Sequence, residues 1–348
     1  MASGSTAFTL ALVPTGMKAG VRMSPWGVWI VPVRARPPER TATSKPKLTG
    51  QGYRWRMPFT ALILNPIHPG AATAARELGA LGEVRTYLTT PESPGPEQVA
   101  QALSEGAGSV VVAGGDGTQR LVAGALAGTG VPLGILATGT ACVYSRNLGL
   151  PRGLAGAALA MTGVPRSMDL GWASLDGGSP EPFLVATGMG RDAETLLGVR
   201  NNLKKRLGWV AYVRAGLGTM GRHRLPLRIN GQPIEAWTVL AGNVGRVPTA
   251  SLFPGARPDD GRLHVMHLGV DGWRDWWPVL LTGMTHSRRD IGKLLRWETA
   301  HVLIGSDIPR AVHLDGDLRT AARSLEVWID PGTLRIRCPG ERRLMPFR

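Results

Sequence analysis

The stretch 109-SVVVAGGDGTQRLVAGAL-126 decides the reading of this chain. Three glycines, Gly114, Gly115 and Gly117, surround one aspartate, Asp116, directly after a run of valines. Ordering glycine costs backbone entropy, so such a cluster implies a tight turn, a close approach of backbone, or both. The valine run reads as a buried parallel strand, and TQRLVAGALAGTG as the helix that follows it. The glycines then fall at the carboxyl end of a strand and the mouth of a helix. Open parallel sheets bind ligands in that crevice, where bare amides and the positive helix end cradle phosphate. Asp116 would repel a phosphate there unless it holds a metal ion or orients a hydroxyl.

Outward from this unit, strand and helix alternate. FTALILNP (59–66) reads as a buried strand ended by Asn-Pro, AATAARELGAL (71–81) as a helix and EVRTYLTT (83–90) as a strand. GPEQVAQALSEGA (95–107) reads as a helix with proline near its start and glycine at its end, and VPLGILATGT (131–140) as another strand. Alternation at this spacing predicts a parallel sheet covered on both faces. Beyond Pro165, short strand-like runs separated by Gly-rich and Asn-Gly turns continue to Arg337, with helix-like insertions such as 193–220. The expected fold is α/β in two domains. The first, 57–165, is a three-layer α/β nucleotide-binding domain. The second, 166–337, is antiparallel, β-sandwich-like and interrupted by helices. Residues 338–348 form a C-terminal tail expected to return to the first domain.

The 348 residues carry 40 Lys and Arg against 25 Asp and Glu, a formal charge of +15. Such an excess calls for an acidic partner: nucleic acid, an anionic membrane or a phosphorylated substrate. Residues 1–56 hold nine Lys/Arg and one acid, Glu39. This leader is rich in Pro, Gly, Ser and Arg, shows no periodicity and is expected to be disordered. It lacks the layout of a secretory signal, and MPFTALILNP at Met57 offers an alternative natural start. The two cysteines, Cys142 and Cys338, form neither a disulfide framework nor a metal spacing, which points to a reducing cytoplasm. No apolar run approaches the roughly 18–20 residues of a membrane span. No nucleic-acid-binding motif is present, so no nucleic-acid partner is expected. There is no Gly-x-Ser-x-Gly elbow, no His-Glu-x-x-His pair and no Walker A lysine, so an ATP site here must use another phosphate cradle.

GGDGT resembles the signature shared by diacylglycerol kinases, sphingosine kinases, NAD kinases and phosphofructokinases. GILATGTACVYSRNLGLP (134–151) resembles the glycine-threonine block of the diacylglycerol kinase catalytic family, whose bacterial soluble members are related to sphingosine kinases. LILNPIHPG (62–70) is similar to that family's Asn-Pro strand end, and ARPDDGRLHV (256–265) and HLDGDL (313–318) to its two later acidic motifs. The matches fall in family order between Phe59 and Cys338, and the Asn-Glu signature of NAD kinases is absent.

The resemblance implies an ATP-binding α/β domain, a β-rich lipid-substrate domain and a cleft between them, with ATP and Mg²⁺ as cofactors. It implies Asn65 and Pro66, in the PIHP turn, beside the ATP phosphates, and Thr89 or Thr90 on the nucleotide. Gly114, Gly115, Asp116, Gly117 and Thr118, on to Leu121, would wrap the nucleotide, and Thr140 would complete the site. Asp260, with a main-chain oxygen such as that of Arg262, would ligate a structural magnesium. Asp315 would be the general base, with Asp317 where many relatives carry glutamate. Two departures stand out. Cys142-Val143 occupies the place of the usual Asn-Asp, and IHPG replaces Ser-Gly, so His68 takes over a hydroxyl contact to phosphate or that contact is lost.

The chemistry fits independently of the family. Phosphoryl transfer needs positioning and charge neutralisation, and a hydroxyl nucleophile needs a carboxylate in reach and Mg²⁺ on the phosphates. Asp116 and Asp315, brought together across the cleft, could divide those roles. The expected activity is transfer of the ATP γ-phosphoryl group to a primary hydroxyl of diacylglycerol or a similar lipid. A sphingoid-base or ceramide kinase, and a lipid- or nucleotide-binding regulator with impaired catalysis, are the alternatives. The expected location is the cytoplasm, peripherally on a membrane, with a homodimer left open. Trp273, Trp276, Trp277 and Trp297 among Arg274, Arg288, Arg289, Lys293 and Arg296 suit the interface of an anionic membrane, as does Lys204-Lys205-Arg206 before an apolar stretch. Buried tryptophans with solvated charges on the far face are the competing reading.

Overall fold

Four parallel strands covered on both faces need nearly continuous apolar sequence, and the first half of the chain supplies it. The computed structural model describes residues 22–23, 29–30, 59–68, 70–197, 221–247, 250–284 and 291–340. The chain divides into two compact units, Met1–Arg34 and Ala35–Arg348. In the first, Arg22–Met23 pairs antiparallel with Trp29–Ile30. The remainder of residues 1–56 lies outside the described residues, as do Lys204, Lys205, Arg206, Arg288, Arg289 and the tail beyond residue 340.

In the second unit, β1 (Phe59–Leu64), α1 (Ala71–Gly79), β2 (Val84–Leu88), α2 (Pro96–Ser104), β3 (Ala107–Gly114), α3 (Asp116–Leu126) and β4 (Pro132–Ala137) alternate in sequence. The strands lie in the order β2-β1-β3-β4 and all pair parallel. Two further helices follow, α4 (Val143–Asn147) and α5 (Gly153–Thr162). Successive strand residues face opposite sides of a sheet, and the valines of β3 show it. Val110 and Val112 pack in one core with Val99 of α2 and Val122 of α3. Val111 packs in another with Leu78 of α1 and Ala160 of α5. The parallel sheet is thus the middle of three layers.

The second half is antiparallel and built mostly of strands. It comprises β5 (Val164–Leu175), β6 (Glu181–Phe183), β7 (Ala186–Gly190), α6 (Arg191–Leu197), β8 (Leu225–Ile229), β9 (Gln232–Ala236) and β10 (Thr238–Gly242). β11 (Leu263–Leu268), α7 (Trp276–Met284), β12 (Leu294–Thr299), β13 (His301–Leu314) and β14 (Asp317–Cys338) complete it. The Asn230-Gly231 turn between β8 and β9 has positive φ at both residues, the geometry that favours these two residue types in a hairpin. Leu227, Val239, Val265, Ile304 and Val327 lie in its core.

The fold is α/β as expected, and its sheet runs unbroken from one half into the other. The order is β12-β11-β10-β7-β13-β14-β4-β3-β1-β2. β14 joins β4 in parallel through Arg335 opposite Pro132 and Ile336 opposite Leu133. β5 pairs antiparallel with β14 on both sides of a bulge between Asp330 and Leu334. The chain therefore passes between the halves inside two long strands, and the position expected to divide the domains falls within β5.

The four tryptophans expected at a membrane separate. Trp276 is buried, edge-on to Trp237 with ring centroids 4.9 Å apart, and Trp297 is half-buried against the second core. Only Trp273 and Trp277 are exposed. The reason is local: α7 is apolar all round, so one side can pack inward while another faces out.

Gly134 of β4 is a glycine because α5 crosses there; a β-carbon would stand 2.1 Å from the Ala160 carbonyl oxygen. Gly134→Ala should cost about 1–3 kcal/mol of stability, read as a lower urea midpoint at unchanged m-value. An unaltered midpoint would show that α5 can move away at no cost.

Candidate active site

The glycines after β3 answer to close approaches. A β-carbon at Gly114 would stand 2.7 Å from Thr118 Cβ, and one at Gly139 would stand 2.7 Å from the Gly115 α-carbon. The 138-TGT-140 loop can press onto the turn only because both sides lack side chains. Gly115 is the residue before α3, and the first turn leaves the amides of Gly117 and Thr118 without an intrahelical acceptor. The cradle is not wholly bare: the Gly115 N–H donates to His68 Nε2 at 3.1 Å. Asn65 Nδ2 donates to Thr118 Oγ1 at 3.1 Å while its Oδ1 accepts the Ile67 amide, so the Asn-Pro turn that includes Pro66 is tied to α3. Gln119, within the stretch expected to wrap the nucleotide, is fully buried instead; its amide group donates to the Gly114 carbonyl and accepts from Ser145 Oγ.

Thr89 and Thr140 stand at other strand ends. Thr89 is buried after β2, its N–H on the Leu64 carbonyl at 2.9 Å. The neighbouring Thr90 Oγ1 accepts the Ser93 amide. Thr140 is exposed after β4, and its carbonyl accepts from Arg146 and Arg152.

Asp116 does not reach across the cleft. Its Oδ2 accepts the Cys142 amide at 2.8 Å and its Oδ1 the Val143 amide at 2.6 Å. The carboxylate thus holds the loop where α4 begins, at the positions that depart from the family pattern. Burial lifts its carboxyl above the ordinary aspartate value, against the pull of those two amides. Asp116 and Asp315 are not a shared pair; each is engaged by its own set of amides.

The HLDGDL stretch makes the β13–β14 hairpin turn. Leu314 and Asp317 pair, and Asp315 and Gly316 between them have φ of 49° and 83°. The half-buried Asp315 accepts three amides: Leu184 on Oδ2 at 2.8 Å, and Val185 and Ala186 on Oδ1 at 2.8 and 3.0 Å. These amides sit where the chain breaks between β6 and β7, so the carboxylate replaces the missing ladder partners. Burial raises the Asp315 carboxyl above its ordinary value, although the Leu184 amide, the Arg120 charge and the Val185 and Ala186 amides oppose it.

This turn faces α3. A β-carbon on Gly117 would stand 3.4 Å from Asp317 Oδ2. Arg120, on the first helical turns and almost fully buried, reaches Asp317 Oδ2 at 3.5 Å, the Pro182 carbonyl at 3.3 Å and Glu181 Oε2 at 3.7 Å. Arg319 holds Glu181 from the other side at 2.9 Å. The motif from the parallel half and the motif from the antiparallel half thus meet through one buried arginine.

Residues 69–173 match the family model of the diacylglycerol kinase catalytic domain. A protein of Pseudomonas aeruginosa named "Probable lipid kinase YegS-like" is 32% identical over 280 residues, which cover 77% of this chain and 88% of that protein. The chain belongs to the YegS-like lipid kinase family. A protein of the same name from Stenotrophomonas maltophilia is 30% identical over 319 residues, 82% of this chain and 96% of its own. A crystal structure of a diacylglycerol kinase from Bacillus anthracis str. Sterne shares the fold, with a TM-score of 0.63 at 20% identity over 81% of this chain and 97% of that one.

In this YegS-like chain Asp260, expected to ligate a structural magnesium, is engaged in hydrogen bonds. Asp260 Oδ1 accepts the Arg262 amide at 3.0 Å, and Oδ2 takes the Arg257 amide at 3.0 Å and His264 Nε2 at 2.9 Å. Three of about four lone pairs are occupied. Among the described residues, no group of three or more His, Cys, Asp or Glu could hold a metal ion. Hydrogen bonds close this turn instead. Asp169 of β5, another residue the motifs did not reveal, reinforces it: Oδ2 accepts the Gly261 amide at 2.7 Å and Oδ1 the Gly332 amide at 2.8 Å.

Burial pushes the Asp260 carboxyl up, but the His264 hydrogen bond, the Arg257 amide, the His264 charge and the Arg262 amide outweigh it and hold the group below its ordinary value. A depressed folded value means stability that is present above the ordinary aspartate range, about pH 4, and lost as pH falls through the folded value. Urea midpoints of wild type and Asp260→Asn should therefore differ near neutrality and converge below about pH 4. A difference independent of pH would remove the carboxylate from that role.

Proposed function

We propose that this chain transfers the γ-phosphoryl group of ATP to a primary hydroxyl of a lipid, diacylglycerol or one like it. The observation that carries the reading is the meeting of the α3 turn with the Asp315-Gly316-Asp317 turn, bridged by Arg120. The amides of Gly117 and Thr118, at the positive end of α3, are suited to phosphate oxygens. His68, now on the Gly115 amide, is the group an arriving phosphate must share or displace. Asn65 and Thr118 keep the phosphate side of the turn rigid.

The carboxylates divide into holders and reagents. Asp116 spends both oxygens on the Cys142 and Val143 amides, and we assign it positioning. Asp315 Oδ2 carries one amide and keeps a lone pair, and its raised carboxyl suits a general base for the lipid hydroxyl. Asp317 is half-exposed, with Arg120 as its ion-pair partner among the described residues. It is the carboxylate left to take a divalent cation that arrives with the nucleotide. Such a cation would supply positive charge to offset that of the phosphates. Arg120 keeps Asp317 and Glu181 aligned, so that the acids do not repel the cleft apart.

With ATP labelled on the γ-phosphate, and diacylglycerol, a sphingoid base and ceramide offered in parallel, label is expected in the first. Asp317→Asn and Asp315→Asn should each lower the rate by about a hundredfold or more while thermal melting shows a folded protein. Full activity in either folded variant would remove that residue's role. A wild-type protein that binds nucleotide and labels no lipid would replace the kinase reading with that of a regulator.

A further inference from the structure

At the edge of the antiparallel half, a short 3₁₀ turn, Trp273–Asp275, runs into α7. Trp273, Trp277 and Leu281 are 54%, 76% and 64% exposed. Trp277 and Leu281, four apart, share a face of α7, and Trp273 is exposed on the turn that leads into it, so the three make an outward apolar ridge at this edge. Trp276, one position from Trp277, points inward onto Trp237 and anchors the helix. Single exposed apolar residues are ordinary, whereas a ridge with two indoles calls for a partner.

The surroundings of the ridge are basic. Gly221 abuts Trp273, where a β-carbon would lie 2.9 Å from the indole nitrogen, and this brings Arg222, His223 and Arg224 alongside. Lys293 is tied into the same corner by its ion pair with Asp275 at 2.8 Å. The acids of the corner are drawn in: Glu194 is held by Arg191 and Arg222, Asp271 by His223 and Arg224, and Asp275 by Lys293. Arg274 is exposed and has no ion-pair partner among the described residues. The solvent-facing charge around the indoles is therefore positive.

We infer that the Trp273–Trp277–Leu281 ridge is the surface by which this chain docks on an anionic lipid bilayer. Indoles favour the bilayer–water interface, where the ring is buried and the N–H stays wet. Exposed cations beside them are attracted to anionic headgroups. A second copy of the chain is the poorer occupant, because a two-fold contact sets the same patch against itself and would place cation against cation. The docking surface owes its purpose to the lipid-kinase reading, but its test is independent of catalysis, since vesicle binding requires neither nucleotide nor turnover.

The experiment is flotation of the full chain with vesicles of phosphatidylcholine, with or without phosphatidylglycerol. Wild type should float with the phosphatidylglycerol vesicles, and added salt should weaken that binding. The double variant Trp273→Ala/Trp277→Ala should bind about tenfold more weakly, and phosphorylation of detergent-dispersed lipid should be unchanged. Arg274→Glu, a substitution at an exposed position that keeps both indoles, should also weaken binding. Equal flotation of wild type and the folded double variant would overturn the inference. So would a wild-type dimer that the double variant splits, since the ridge would then belong to a second copy. Intact flotation without lipid phosphorylation would instead count against the kinase reading alone.

Discussion

The two residues of β14 that pair with β4, Arg335 and Ile336, fix the relation between the two halves. A strand pair holds its partners about 4.8 Å apart and in one register, so neither half can slide along the other without breaking the ladder. β5 repeats the constraint, following β14 through both halves. α3 begins directly after β3, two strands from β14, and the Asp315 turn opens β14 itself. The two turns therefore sit on ends of one sheet, a stiffer mounting than a linker between domains would give. The bulge between Asp330 and Leu334 re-aims β14 at the point where the halves join. Asp169 accepts the Gly332 amide inside that bulge and the Gly261 amide beside it.

One device recurs through the molecule: a partly or wholly buried carboxylate that gathers backbone amides no strand or helix uses. Asp116 gathers two, Asp169 two, Asp260 two with a histidine, and Asp315 three. Burying a charge is costly unless it is hydrogen-bonded, and charge-assisted bonds to N–H groups offset that cost. The balance differs by site. Burial dominates at Asp116, Asp169 and Asp315, whose carboxyls lie above the ordinary value, while the histidine and amides prevail at Asp260. Most acids of the motifs thus shape loops. Asp317 gathers no amide among the described residues and, with Arg120 as its ion-pair partner, keeps coordination capacity to spare.

The strands of the parallel half and the Asn-Gly hairpin turn were legible in the sequence because apolar runs and Asn-Gly pairs report local physics. The glycines of the GGDGT turn were legible too, as positions where something must come close. Partners from distant parts of the chain were not. Asp169 lies in an apolar strand and bonds to residues 92 and 163 positions further on. Arg120 fell within the stretch expected to wrap the nucleotide, and only the arrival of Glu181 and Asp317 from the other half makes its burial tolerable. The α7 tryptophans were only partly legible for a different reason: WWPVLL is apolar in every direction, so periodicity cannot say which indole faces inward. His68 was named as a replacement for a hydroxyl contact, but its hold on the Gly115 amide depends on a fold of the PIHP turn that no pattern specifies.

Under the proposed reaction, the Cys142-Val143 departure would bear on the acceptor more than on the nucleotide. Cys142 adopts a left-handed conformation, with φ 41° and ψ 54°, which costs a residue with a β-carbon roughly 1–2 kcal/mol. Asparagine, the usual residue of the family, tolerates that region better. The conformation persists here because it delivers the amides of Cys142 and Val143 to the two oxygens of Asp116. The side chain compensates as well: Sγ is fully buried, 3.3 Å from the Gly139 carbonyl and 3.5 Å from Gln119 Nε2. Burial and the Asp116 charge push the thiol up, so Cys142 stays a neutral packing group. The backbone grip on α3 therefore does not need the asparagine side chain. Val143 packs against the core of the parallel half, and the rim of the cleft has one carboxylate fewer. In the proposed reaction the substitution would alter the polarity met by a hydroxyl-bearing head group, while the GGDGT turn keeps its shape.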